Sequence, residues 1–99
     1  MKFIVSADSQ ETMFLVKKFL PDLILLDIVM PNLNGIDVTS QIRQDKDVNH
    51  IPIIAVTGLT REQEKTQIIN AGCNDYICKP YLIEELESKI HSVLQHSLV

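Results

Sequence analysis

A chain of 99 residues is sized for one domain with one modest core. Hydrophobic residues make up 45% and charged residues 22%, the balance of a globular protein rather than a disordered or fibrous one. The net charge of −4 gives no electrostatic support for binding nucleic acid or an anionic membrane surface, and no apolar run is long enough to span a bilayer.

The chain opens with Lys2-Phe3-Ile4-Val5-Ser6, a β-branched and aromatic run that reads as a strand; it breaks too soon into Ser6-Ala7-Asp8-Ser9 to be a secretory signal. Asp8 or Ser9 offers a helix N-cap, and Met13, Phe14, Val16, Phe19 and Leu20 follow at near-helical spacing until Pro21 stops the helix. Asp22-Leu23-Ile24-Leu25-Leu26-Asp27 is a continuous apolar run closed by a carboxylate, which suits a strand buried on both faces. Turn chemistry occupies residues 30–35, and Ile36, Val38, Ile42 and the stem of Arg43 mark a second helix ending near Asp47. Residues 51–57 form a third strand, with Pro52 at its start where no ladder donor is needed. Thr60 caps a third helix, Gln63 completes a capping box, and Gly72 is a natural residue just past its end. Residues 75–79 make a short fourth strand stopped by Pro80. The last helix, about residues 83–95, is preceded by Leu82, which joins Leu86, Ile90, Val93 and Leu94 on one apolar face.

The order βαβαβαβα is that of a parallel sheet joined by right-handed crossovers, in which sites form at the carboxyl ends of the strands. Asp8, Asp27, Thr57 and Lys79 all fall at such ends. Two carboxylates, a hydroxyl and an ammonium at one edge can handle an anion. Asp27 can attack phosphorus to give an aspartyl phosphate, Mg2+ with oxygen ligands can hold the phosphoryl oxygens, and Thr57 and Lys79 can contact them. Each residue also has a plainer role open to it: Asp8 as a helix cap, Asp27 as a turn aspartate, Thr57 as a strand terminus, Lys79 as a solvated lysine. The two cysteines, Cys73 and Cys78, are too few for a zinc site and read as reduced thiols of a cytoplasmic protein.

The run of residues 21–35 around Asp27 resembles the phosphoacceptor segment of response-regulator receiver domains. Ile53-Ile54-Ala55-Val56-Thr57-Gly58 is similar to the switch-threonine strand of that family, and residues 71–81, containing Lys79-Pro80, to its lysine–proline segment. The resemblance covers residues 21 to about 95. It implies a flavodoxin-like receiver fold, with Asp27 accepting a phosphoryl group from a histidine kinase or phosphotransfer protein. It further implies that Asp27 and the Val29 carbonyl ligate Mg2+, that Thr57 and Lys79 contact the phosphoryl group, that Tyr76 is an aromatic rotamer switch, and that the Lys79–Pro80 bond is cis. A downstream protein partner would read the phosphorylated surface.

The family has five βα units; four are counted here, which makes the expectation a receiver fold reduced to a four-stranded parallel sheet. Two alignments of residues 1–20 remain open. In one, Asp8 is the second acid of the Mg2+-binding pair, Ala7 replaces the first, and the second unit is missing. In the other, the whole first unit is missing. Either way the expected sheet order is 1-2-3-4, Asp8 supplies at most one acid, and Mg2+ binding is weakened. Only the last helix covers one sheet face in this topology. The apolar strands are then expected to be underprotected there, and a homodimer is expected to cover them. The leading expectation is one receiver domain over residues 1–99, not an enzyme, with no output segment after residue 99 and output through protein contacts. The alternatives are a phosphate-independent pseudo-receiver serving as an interaction module, a degenerate or engineered fragment, and an aspartyl-phosphate phosphatase. The phosphatase family typically needs an aspartate two residues after the nucleophile, where this chain has Val29.

Overall fold

The computed structural model describes residues 3–6, 9–28, 34–58 and 62–97, with side chains for residues 11–27, 36–58 and 62–95. The elements in chain order are β1 (Phe3–Ser6), α1 (Ser9–Phe19), β2 (Leu23–Ile28), α2 (Asn34–Gln44), β3 (Ile53–Thr57), α3 (Glu62–Ala71), β4 (Asp75–Cys78) and α4 (Ile83–Ser97). The four strands are parallel and hydrogen-bonded in the order β1-β2-β3-β4. Asp27 lies opposite Val56, Ile28 opposite Thr57, and Thr57 opposite Cys78.

Successive residues of a strand face opposite sides of the sheet, and the core divides accordingly. Ile24, Leu26, Ile53 and Ala55 pack on one side with Val16 of α1, Val38 and Ile42 of α2, and Ile68 of α3. Leu23, Leu25, Ile54, Val56 and Ile77 pack on the other, where Val93, Leu86, Ile90 and Leu94 of α4 cover them. Three helices thus line one face and one helix the other. The expectation that this second face is left open is not met by the described residues: Leu23 and Ile54 are fully buried, Leu25 is 8% exposed and Val56 6%. At four turns, α4 is long enough to shield strands of four to six residues.

The exposed large apolar side chains lie elsewhere. Phe14 is 62% exposed, Phe19 48% and Leu20 54%, whereas Val16 and Thr12 are fully buried. Buried positions 12 and 16 are one helical turn apart, and position 14 falls on the far side of that turn. Leu82, expected on the apolar face of α4, precedes the helix and is 64% exposed.

Element ends follow local chemistry. Leu20 takes a left-handed conformation, φ 48°, and its N–H still bonds the Val16 carbonyl at 3.0 Å before Pro21 ends the helical path. The second helix stops at Gln44 rather than near Asp47, because Asp45 turns the chain: its carboxylate accepts the Asp47 N–H at 2.9 Å, and its carbonyl accepts those of Val48 and Asn49. Strand β3 starts at Ile53 rather than Ile51; Pro52 contributes only its carbonyl, which accepts the Ile24 N–H. Gly72, φ 118°, closes α3 as expected, with its N–H bonded to Ile69 and that of Cys73 to Ile68. The expected cap Thr60 lies outside the described residues.

Candidate functional site

Parallel pairing brings the carboxyl ends of β2, β3 and β4 to one edge of the sheet. Asp27, on β2, follows four buried apolar residues and emerges with its side chain 32% exposed. The Lys79 N–H donates to the Thr57 carbonyl at 2.7 Å, extending the β3–β4 ladder one residue past Cys78. This bond sets Lys79 at the level of the Asp27 carboxylate, two strand spacings away, ~9.5 Å. The extended lysine stem crosses over the end of β3, and its Nζ donates to both Asp27 oxygens at 3.0 Å. Both side chains are partly solvated, the lysine 46% exposed, so the pair contributes at most about 1 kcal/mol to folding. Its value is placement. It holds an ammonium against the Asp27 carboxylate without quenching it by burial.

Thr57 sits at the same edge between the two charged strands, but its side chain is 1% exposed. In this arrangement its hydroxyl is not presented to solvent, so contact with a bound group requires side-chain or loop movement. The Lys79–Pro80 peptide bond is cis. Asp8 and Val29, named from the sequence as metal ligands, lie outside the described residues.

Tyr76 does not join this cluster. It lies on the edge strand β4, opposite Ala55, partly buried against the three-helix side of the core. Two lysines approach its ring, each with Nζ 5.7 Å from the centroid: Lys65 from α3 and Lys89 from α4. Lys89 also donates to both carboxylate oxygens of Asp75, at 3.3 and 3.4 Å. Lys65 pairs with Glu62 at 3.6 Å, and the charge field of Tyr76, foremost, raises its pKa above the ordinary lysine value. Sequence reasoning missed both lysines. The one available signal is that α3 and α4 flank β4 in chain order, and that does not single out a residue on either helix.

The donor set can be tested against Mg2+. Asp27 offers two hard oxygens at a water-accessible strand end, which fits a cation that keeps several waters and takes one or two carboxylates. Lys79 already binds both oxygens, so a cation competes with it. Among the described residues no group of three His, Cys, Asp or Glu side chains could hold a metal by itself. Cys73 and Cys78 are free thiols, the first buried.

Comparison with known proteins shows the family. The family model for the response regulator receiver domain matches residues 2–91. The polar-differentiation response regulator DivK of Brucella ovis is 37% identical over 84 residues, 85% of this chain and 68% of that protein. The "Probable transcriptional regulator ycf27" of Guillardia theta is 38% identical over 96% of this chain, which spans only 37% of that relative's length. A response regulator from Desulfuromonas acetoxidans superposes with a TM-score of 0.77 at 28% identity, over 89% of this chain and 72% of that one. A structure from Chloroflexus aurantiacus J-10-fl gives a TM-score of 0.82 at the same identity, over 91% and 74%. With a matched model over nearly its whole length, a flavodoxin-like α/β architecture and an aspartate–lysine pair at the carboxyl edge of the sheet, the chain belongs to the response regulator receiver domain family, the receiving modules of phosphorelay signalling.

Proposed function

We propose that Asp27 is the phosphoacceptor of this receiver. The observation that carries the reading is the Lys79 ammonium 3.0 Å from both Asp27 oxygens at the strand edge, beside Thr57. A carboxylate oxygen attacks the phosphorus of a phosphohistidine on a kinase or phosphotransfer protein. The new P–O bond forms as the P–N bond breaks, and the imidazole leaves with its electron pair and takes up a proton. Lys79 then exchanges one carboxylate contact for a phosphoryl oxygen, and Thr57 turns toward the group from its buried position. Mg2+ would be held by Asp27, the Val29 carbonyl and Asp8, and would supply neutralisation of phosphoryl charge. Tyr76 serves as the aromatic switch. Output is contact with a downstream protein, with no role for nucleic acid, membrane or catalysis on a small substrate, in a single cytoplasmic domain over residues 1–99.

We read the sheet as a receiver sheet with one βα unit fewer than the family's five, which leaves Asp8 as the sole candidate for the acidic pair. The module is read as a homodimer. In place of the sheet face expected from the sequence, the exposed Phe14, Phe19 and Leu20 on and just after α1 support association.

The deciding experiment is phosphorylation by acetyl phosphate with and without Mg2+, followed by intact mass. A phosphate-sized gain that needs Mg2+ and disappears in Asp27→Asn is expected. No gain in a folded sample at forcing concentrations of both reagents would overturn Asp27 as phosphoacceptor.

A further inference from the structure

The switch residue at the edge of the sheet is not held by packing alone. Tyr76 projects from an edge strand, where it has sheet neighbours on one side only. Lys65 reaches it from the helix on one face of the sheet and Lys89 from the helix on the other, each with Nζ 5.7 Å from the ring centroid. Neither cation floats freely. Lys89 is tied to Asp75, the residue before Tyr76, and Lys65 to Glu62 one turn earlier on its own helix. Both lysine side chains are only about one-third exposed, 27% and 35%. Two cations facing one aromatic ring repel each other, and each gains most by lying against the ring's electron-rich face.

We propose that Lys65 and Lys89 are positioning residues for Tyr76: together they clamp its ring in the resting orientation, so that α3 and α4 are linked through one aromatic side chain. This rests on the reading of Tyr76 as the receiver's switch. On that reading the clamp is the contact that a phosphoryl group at Asp27 must break for the ring to move. Asp75 acts through Lys89 by anchoring it.

The chain has no tryptophan and two tyrosines, so Tyr81→Phe leaves Tyr76 as the one tyrosine fluorophore. Acrylamide quenching of that fluorescence reads the ring's exposure directly. In this background Lys65→Met and Lys89→Met are expected to raise the quenching constant, and the double variant to raise it further. Lys65→Arg and Lys89→Arg, which keep the cation, restore the parent value, and Lys46→Met at an exposed site elsewhere leaves it unchanged. Circular dichroism of each variant verifies that the fold is retained. Titration with beryllium fluoride and Mg2+, a phosphoryl mimic, is expected to reach half-effect at about two- to five-fold lower concentration in each Met variant, the range one cation–π contact supports. Equal quenching in the parent and both Met variants overturns the clamp. If the Met variants differ at rest while the mimic changes the fluorescence of none, the parent included, the clamp stands and the switch reading of Tyr76 falls.

Discussion

Arg43 makes four hydrogen bonds through its guanidinium. Its Nε donates to the Gly72 carbonyl at 2.8 Å, Nη1 to those of Asn49 and Ile51 at 3.0 and 2.7 Å, and Nη2 to Asn74 Oδ1 at 2.8 Å. The same Asn74 oxygen accepts the Ile53 N–H, and the Asn74 N–H returns to the Ile53 carbonyl. One guanidinium therefore fastens the loop before β3 to the loop before β4. A lysine has neither the fork nor enough donors to replace it, so Arg43→Lys is expected to cost about 1–3 kcal/mol in urea unfolding, through carbonyls left without donors. Gly72→Ala is expected to be destabilising too. Its backbone lies at φ 118°, and an added Cβ would sit 2.6 Å from Arg43 Cγ. Nearby, burial pushes the Cys73 thiol up, against the opposing pull of the Thr39 hydroxyl at 3.5 Å. The folded state therefore keeps this proton to higher pH than the unfolded chain does. The resulting stability is complete below the ordinary thiol range and is lost as pH rises through the folded value. A maleimide at neutral pH should accordingly label Cys78 promptly and Cys73 only on unfolding; equal rates in the native protein would contradict the burial.

At the scale of elements, α4 has an outsized share of the work. The cluster of Leu23, Leu25, Ile54, Val56 and Ile77 is covered by this helix, with Tyr81 just before it. Val93→Ala is expected to cost about 1–3 kcal/mol, and Ile54→Ala about 2–5 kcal/mol, in denaturant melts. The elements themselves were legible in the sequence because each carries its own signal: uninterrupted β-branched or leucine runs for β2 and β3, Gly72 after α3, Pro21 after α1. The meeting of Asp27 and Lys79 was legible too, since parallel order puts all strand ends at one edge. What escaped were features set by contacts between elements. The apolar residues of α1 admit more than one helical face, and only packing against β2 and α2 selects Thr12 and Val16 over Phe14. The Arg43 cluster links residues up to 31 apart through backbone carbonyls, which leave no periodicity to read. The burial of Thr57 depends on both neighbouring strands and is likewise invisible in a motif.

The whole molecule has a Cα radius of gyration of 12.4 Å, close to the ~13 Å expected for a compact domain of this length. Among the described side chains, the exposed aromatic rings are those of Phe14 and Phe19, and Lys18 Nζ lies 5.5 Å from both ring centroids. Association through this patch is expected to give a dimer mass by light scattering at micromolar concentration, reverting toward monomer in Phe14→Ser/Phe19→Ser. A monomer in the parent protein would remove the homodimer reading and leave the patch free for another partner.

The fastening around Arg43 and the aspartate–lysine pair lie at opposite ends of the strands. Strands β3 and β4 both run from loops that the guanidinium and Asn74 cross-link toward the edge that carries Asp27 and Lys79. Cross-links at one pole restrict relative strand movement least at the pole farthest from them. Amide exchange should therefore be graded along β3 and β4, slowest at Ile53 and fastest beyond Thr57 and Cys78. Loosening the distant end by Arg43→Lys should flatten that gradient while the Asp27–Lys79 pair at the other pole stays in place.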